Sequence, residues 1–134
     1  MKKMQDENCA LILEKIVFDK IFFTRKDFTS ESVPSFSFQI NSYKKNNENV
    51  YKITIIAYVE KEKEYNVEIS ISGFFSINTN MDLSDNDIGD LINKNAVAIL
   101  MPYIRSEISI ITAQPGMECV VMPPINIEAM LKNS

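Results

Sequence analysis

Two runs of strict alternation constrain this chain more than any other feature. In "VYKITIIAYVE", Tyr51, Ile53, Ile55, Ala57 and Val59 fall on one side. In "YNVEISISGFFSI", Tyr65, Val67, Ile69, Ile71, Phe75 and Ile77 alternate with Asn66, Glu68, Ser70, Ser72 and Ser76. A period of two is that of a strand with one face in a core and the other in water. Only "EKEKE" separates the runs, and a connection that short returns the chain antiparallel to itself. "FSFQINSY" repeats the pattern, with Phe36, Phe38 and Ile40 opposite Ser37, Gln39 and Asn41, and "KKNNEN" supplies the turn into the next strand. Leu11 to Arg25 is apolar on both phases, which predicts a strand covered on both sides or lying at an oligomer seam. Lys26 to Ser35, with Pro34 near its end, breaks that strand off.

From Asn78 the period changes. Ser84 stands where a helix cap belongs, among Asp82, Asp85, Asp87 and Asp90, and predicts a short helix leading into the main one. Pro102 either begins the straight part of the main helix or kinks it. Beyond it, Ile104, Ile108 and Ile111 share a face that must pack on the sheet. Arg105, Ser109 and Thr112 share another, where short hydroxyl side chains either admit a second backbone or simply face water. Four strands followed by helix predict an α+β fold: a four-stranded antiparallel sheet with a long C-terminal helix packed on one face. At 134 residues, 46% hydrophobic and 24% charged, the chain is expected to form a single domain over residues 1–134 with a modest core.

Composition also excludes functions. The formal charge is -4 with scattered basic residues, so no electrostatic footprint for nucleic acid is present. No apolar run approaches the roughly 18 residues of a membrane span, and "MKKMQDENCALIL" carries acids and amides where a signal peptide needs an apolar stretch. A cytoplasmic protein is expected. The two cysteines, Cys9 and Cys119, belong to no metal-binding spacing and read as reduced thiols; with no histidine in the chain, zinc sites and histidine catalysis drop out together. The aspartates around Asp82 do not form a calcium loop, because its twelfth position, where glutamate is needed, holds Asn93. No glycine pattern cradles a phosphate, and Glu60, Glu62 and Glu64 sit on a charged turn where carboxylates are solvated. No catalytic residue, cofactor or metal is therefore expected, and no enzyme.

What remains is the nearly uncharged stretch from Asn95 to Leu131, which ends in Met117, Val120, Val121, Met122, Pro123 and Pro124. One reading makes it a segment that wraps the sheet edge and completes the core. The other makes it a binding surface, since flexible, polarizable methionines re-pack around varied partners.

"NAVAILMPYIRSEISIITAQPG" followed by "VVMPPINIEAML", with "GFFSI" closing the preceding strand, resembles the bacterial SecB protein-export chaperone family. Pro102, Tyr103 and Arg105, the Pro115-Gly116 break and the "PPINIEAM" run match in order and spacing. The resemblance implies an ATP-independent holdase for unfolded client polypeptides, assembled as a homotetramer, a dimer of dimers, with helices between two sheets. It also implies a client groove bounded by Lys26 to Ser35 and by Gln114 to Pro124. Phe28 and Val33 on one side, and Met117, Val120, Val121 and Met122 on the other, are the client-binding residues it suggests. Dimers are expected along the first strand, and the tetramer through Arg105, Ser109 and Thr112. Of the acidic surface that docks the SecA motor, Glu68 matches one acid while Lys20 and Thr24 stand at first-strand acidic positions, so motor binding is expected to be weak or absent. Ile127 to Lys132 is expected to be a stub of the family's long final helix. Two other readings stand beside the general holdase: a dedicated chaperone of one partner, such as an antitoxin, and a non-chaperone interaction module.

Overall fold

The structure, a computed structural model, describes residues 11–28, 31–45, 49–78 and 82–127. Cys9, and all of the expected final-helix stub but Ile127, lie outside the described residues. The alternating runs form the antiparallel pair β3 (Val50–Lys61) and β4 (Tyr65–Ile77), in which Ile55 opposes Ile71, Ala57 opposes Ile69 and Val59 opposes Val67. β1 (Leu11–Arg25) joins β4 and β2 (Ser35–Lys44) joins β3, giving an antiparallel sheet of order β1-β4-β3-β2 with the hairpin at its centre. The inward side chains of the central pair are sealed: Ile53, Ile55, Ile69, Ile71 and Phe75 are all fully buried. The fold class is the one expected from the sequence.

Ser84 caps α1 (Asp85–Asp90) through a capping box: its hydroxyl accepts from the Asp87 N–H, and the Asp87 carboxylate accepts from the Ser84 N–H. The chain then passes through a π-helical segment, Leu91–Ala96, into α2 (Val97–Thr112) without leaving helical backbone angles. Pro102 lies inside α2 rather than starting it. Val97, Leu100, Met101, Ile104 and Ile108 face the sheet and are buried, as the isoleucine spacing predicts. The helix sits close at Gly73. A Cβ there would stand 2.7 Å from a Phe75 ring carbon and 2.8 Å from a Leu100 methyl, so only the hydrogen of glycine leaves room.

β1 is not covered on both faces within the chain, which leaves the other expected placement, an oligomer seam. β1 is an edge strand with two register shifts, at Leu13/Lys15 and Phe18/Lys20, which leave Glu14 and Asp19 without a paired residue opposite. A bulge changes which phase of the alternation points inward, so a strand with apolar residues on both phases need bury only one face. The bulged carboxylates turn to the outer face of the sheet, where Ser76 Oγ donates to Glu14 at 2.6 Å and Ser72 Oγ donates to Asp19. Leu13, Phe18, Ile21 and Phe22 remain exposed in the protomer.

The β3–β4 turn also differs. Lys63 takes a left-handed conformation (φ 69°), and the Glu64 N–H closes the turn on the Lys61 carbonyl at 2.9 Å. This tucks Glu64 inward, where it is buried and paired with Lys61 at 3.1 Å rather than solvated.

Because both neighbours of Gly73 are fully buried and cannot swing into water, Gly73→Val is expected to cost about 1–3 kcal/mol by overpacking. Urea unfolding followed by circular dichroism checks this; an unchanged midpoint would mean that the helix does not sit against the sheet at this point.

Candidate functional site

Where α2 ends, hydroxyl chemistry directs the chain. The Gln114 amide donates to the Ile111 carbonyl at 2.6 Å, the Met117 N–H donates to the Gln114 carbonyl, and Gly116 takes the left-handed φ of 79° that the reversal requires. The following segment lies back against the last turns of the helix. Ser109 Oγ donates to the Val120 carbonyl at 2.9 Å, and the Val120 N–H donates to Thr112 Oγ1 at 2.8 Å. Thr112 Oγ1 in turn donates to the Ile108 carbonyl at 2.8 Å. One buried hydroxyl thus serves as donor to the helix and acceptor from the tail.

The segment after β1 is held from below. The Glu64 carbonyl accepts from the N–H groups of Lys26 and Asp27, Ser32 Oγ donates to the Glu62 carbonyl, and Ser35 Oγ donates to the Glu60 carbonyl. Both segments therefore converge on the β3–β4 end of the sheet. Between them lies a groove of about 440 Å³, walled by Val33 and Pro34 on one side and by Val120, Val121 and Pro123 on the other, with Phe36 and Tyr65 beneath.

Tyr65 is buried, and among the described residues its hydroxyl has no hydrogen-bond partner. Burial pushes the phenol above its ordinary value of 10.0, and the carboxylates of Glu64 and Glu118 add to the rise. Its ring packs against Phe23 with centroids 5.8 Å apart. The groove floor is thus apolar with one neutral hydroxyl.

Of the client-binding residues suggested from the sequence, Val33, Val120 and Val121 meet at this groove. Val33 and Val121 are largely exposed, at 83% and 74%, whereas Val120 is mostly buried beneath the wall. Phe28 is exposed on the same connecting segment, with the Arg25 guanidinium 5.8 Å from its ring centre, but does not line the groove. Met117 is half-buried against the core. Met122 is a core residue, because the clamp on Val120 turns its side chain inward. Ser109 and Thr112 do not form a free helix face: both bond the tail, and Thr112 has no exposed surface. Arg105 is exposed, as are Tyr103 and Ile110. Glu68 lies on the outer face of the sheet, bridged by Lys20 at 2.9 Å. Cys119 is a free, exposed thiol at the groove. Tyr65 and Phe36 were visible in the sequence only as core positions of alternating strands. Their nearness to a charged turn and to a proline-bearing connection was the available signal.

A four-stranded antiparallel sheet covered on one face by a long helix, with an apolar groove between two connecting segments, is the architecture of a SecB-like chaperone. It superposes on the SecB-like chaperone Rv1957 of Mycobacterium tuberculosis, solved with a ChAD peptide from the HigA1 antitoxin, with a TM-score of 0.73 at 9% identity over 87% of this chain and 91% of that one. The family described as preprotein translocase subunit SecB matches residues 11–134, and the chain belongs to it. An uncharacterized protein of Methanocaldococcus jannaschii is 34% identical over 97 residues, which span 68% of this chain and 60% of that protein.

The Tyr65 hydroxyl gives a pH prediction. Its folded value is raised above the unfolded one, so this group leaves stability unchanged below about pH 10 and lowers it as pH rises through the interval above. Tyr65→Phe is expected to be neutral or slightly stabilising at pH 7, since the hydroxyl has no partner to lose, and to flatten the alkaline decline. Thermal melts of both proteins from pH 7 to pH 11 check it; a variant that melts well below wild type at pH 7 would show a hydrogen bond at Tyr65.

Proposed function

We propose that the protein is an ATP-independent holdase of the cytoplasm that keeps non-native polypeptides unfolded, as in protein export. The observation that carries this reading is the groove between the Ser32–Phe36 segment and the Val120–Pro123 tail, whose walls present Val33 and Val121 to solvent beside the hydrogen bonds that the Ser32, Ser35 and Ser109 hydroxyls donate. A single apolar contact there is worth roughly 1.5–3 kcal/mol at most, so binding an unfolded chain requires several such grooves acting together. β2 runs out of the groove as an edge strand and offers unpaired main-chain groups to an extended client.

Multiple grooves require an oligomer. The exposed apolar surface of β1 (Leu13, Phe18, Ile21, Phe22) suits a dimer seam, and Tyr103 and Ile110 with the small Ser106 form the helix face available for pairing two dimers into a tetramer. This face replaces the Ser109 and Thr112 face, whose hydroxyls are bonded within the chain. Docking of an export motor through Glu68 is disfavoured by Lys20, which neutralises it. That favours the second reading, a chaperone dedicated to one partner. It is supported by the shared fold with a chaperone solved with an antitoxin peptide.

Purified protein is expected to suppress aggregation of several unrelated unfolded substrates without nucleotide. Val33→Asp with Val121→Asp should weaken this several-fold while leaving thermal unfolding unchanged, since both side chains are exposed. Suppression restricted to one partner in a panel selects the dedicated reading, and suppression of none sinks both.

Ile110→Glu, a charge placed on the proposed helix seam, is expected to reduce a tetramer to dimers in light scattering. A wild-type mass of one chain at micromolar concentration would overturn the assembly.

A further inference from the structure

The side-chain donors that line the groove are those of Ser32, Lys61, Tyr65 and Cys119. All but one have acceptors. Ser32 Oγ donates to the Glu62 carbonyl at 3.2 Å, Lys61 is paired with Glu64 at 3.1 Å, and the Cys119 thiol donates to the Ser109 carbonyl at 3.5 Å. The Tyr65 hydroxyl has no partner among the described residues, and its oxygen is closed to water. A buried donor left unmet carries the full desolvation penalty, and the large majority of buried polar groups in folded proteins are met.

Tyr65 is also held in place. It opens β4, where its backbone lies between Arg25 of β1 and Lys61 of β3, and its ring packs against Phe23. Burial, with the carboxylates of Glu64 and of Glu118 on the tail side of the groove, keeps the phenol protonated. A phenol gives its proton to a hydrogen bond more readily than it accepts one, because the ring draws on the oxygen lone pairs. What completes it is an acceptor. Glu118 beside it makes a neutral acceptor fit better than a second carboxylate.

We infer that Tyr65 is the residue by which the groove selects non-native chain: its hydroxyl donates to a main-chain carbonyl of an extended client lying between Val33 and Val121. This rests on the groove being the client site proposed above. An extended chain carries a neutral, unpaired carbonyl at every residue, whereas the carbonyls of a folded protein are bonded within its helices and sheets. Contact with Val33, Val121 and Pro123 accepts any apolar surface. The hydroxyl adds a requirement that unpaired main chain meets whatever its side chains are. β2 leaves the groove as an edge strand and keeps the client extended alongside it. As the walls part around a client, a donor that water does not reach gains its partner, and the penalty carried by the free protein is relieved.

The test is fluorescence anisotropy of the full chain with a labelled, acetylated and amidated peptide of alanine and valine around one central phenylalanine, with a lysine at each end. This peptide has no side-chain acceptor. Tyr65→Phe, which removes only the hydroxyl, is expected to weaken its binding about fivefold. A peptide with glutamines in place of the alanines should lose the same factor. Replacing one peptide carbonyl at a time by a thiocarbonyl, a weaker acceptor, should weaken wild-type binding at a position beside the phenylalanine and leave Tyr65→Phe indifferent there. A merely structural role for Tyr65 would not produce that coupling. Equal affinity of wild type and Tyr65→Phe for a peptide that Val33→Asp with Val121→Asp weakens, a loss confined to the glutamine peptide, or the same thiocarbonyl profile in both proteins would each overturn the proposal and leave the holdase reading standing. Absence of wild-type binding, or binding that the valine variant does not weaken, would remove the groove reading and this one with it.

Discussion

Burial of the inner face of β3 and β4 beneath α2 is the constraint on which the rest of the molecule depends. Ile53, Ile55, Ile69 and Ile71 on the sheet, with Leu100, Ile104 and Ile108 on the helix, lose all contact with water. At roughly 1.5–3 kcal/mol for each such side chain, this layer is what offsets the ordering of the chain. It also sets geometry. The central pair determines which strands become edges, and the close seat at Gly73 determines how deep the helix lies, so the C-terminal end of α2 arrives beside the β3–β4 turn.

At that end a different kind of interaction takes over. Apolar contacts are tolerant of small shifts, whereas the Thr112 hydroxyl accepts from the Val120 N–H and donates into its own helix, and this direction sets the path of the tail. The opposing wall is held by carbonyls of the β3–β4 turn, with Glu64 and Lys61 paired beneath it. Two short segments, neither stable alone, are thereby kept apart over an apolar floor. Beneath them the buried Tyr65 hydroxyl has no hydrogen-bond partner among the described residues.

The two faces of the sheet follow separate physical logic. The inner face is continuous hydrocarbon, while the outer face is a polar ladder in which Thr54, Ser72 and Asp19 are linked and Lys20 meets Glu68. Bulges make this arrangement: by dropping Glu14 and Asp19 out of the pairing, they bring carboxylates over the serines of β4. An edge strand interrupted in this way is also a poor template for indiscriminate strand addition.

Much of this was legible in the residues themselves. Alternation in β3 and β4, the shorter alternation in β2, the Ser84 cap and the spacing of Ile104 and Ile108 are local signals, and each led to the element observed. The two segments that wall the groove came from the family resemblance rather than from periodicity. What could not be read were matters of register and path. The double apolar phase of β1 fitted two covered faces or an oligomer seam, and the bulges that shift its phase leave no mark in composition. Ser109 and Thr112 looked like a free face because their partner, Val120, lies beyond a reversal. Met122 looked exposed for the same reason, and Glu64 looked solvated because the left-handed Lys63 turns it inward. Periodicity is a property of neighbours along the chain, and it determined the sheet, the helix and the face that each buries. Which polar group meets which, and so where the groove lies, depends on contacts between residues far apart in sequence, and only the folded chain decides those.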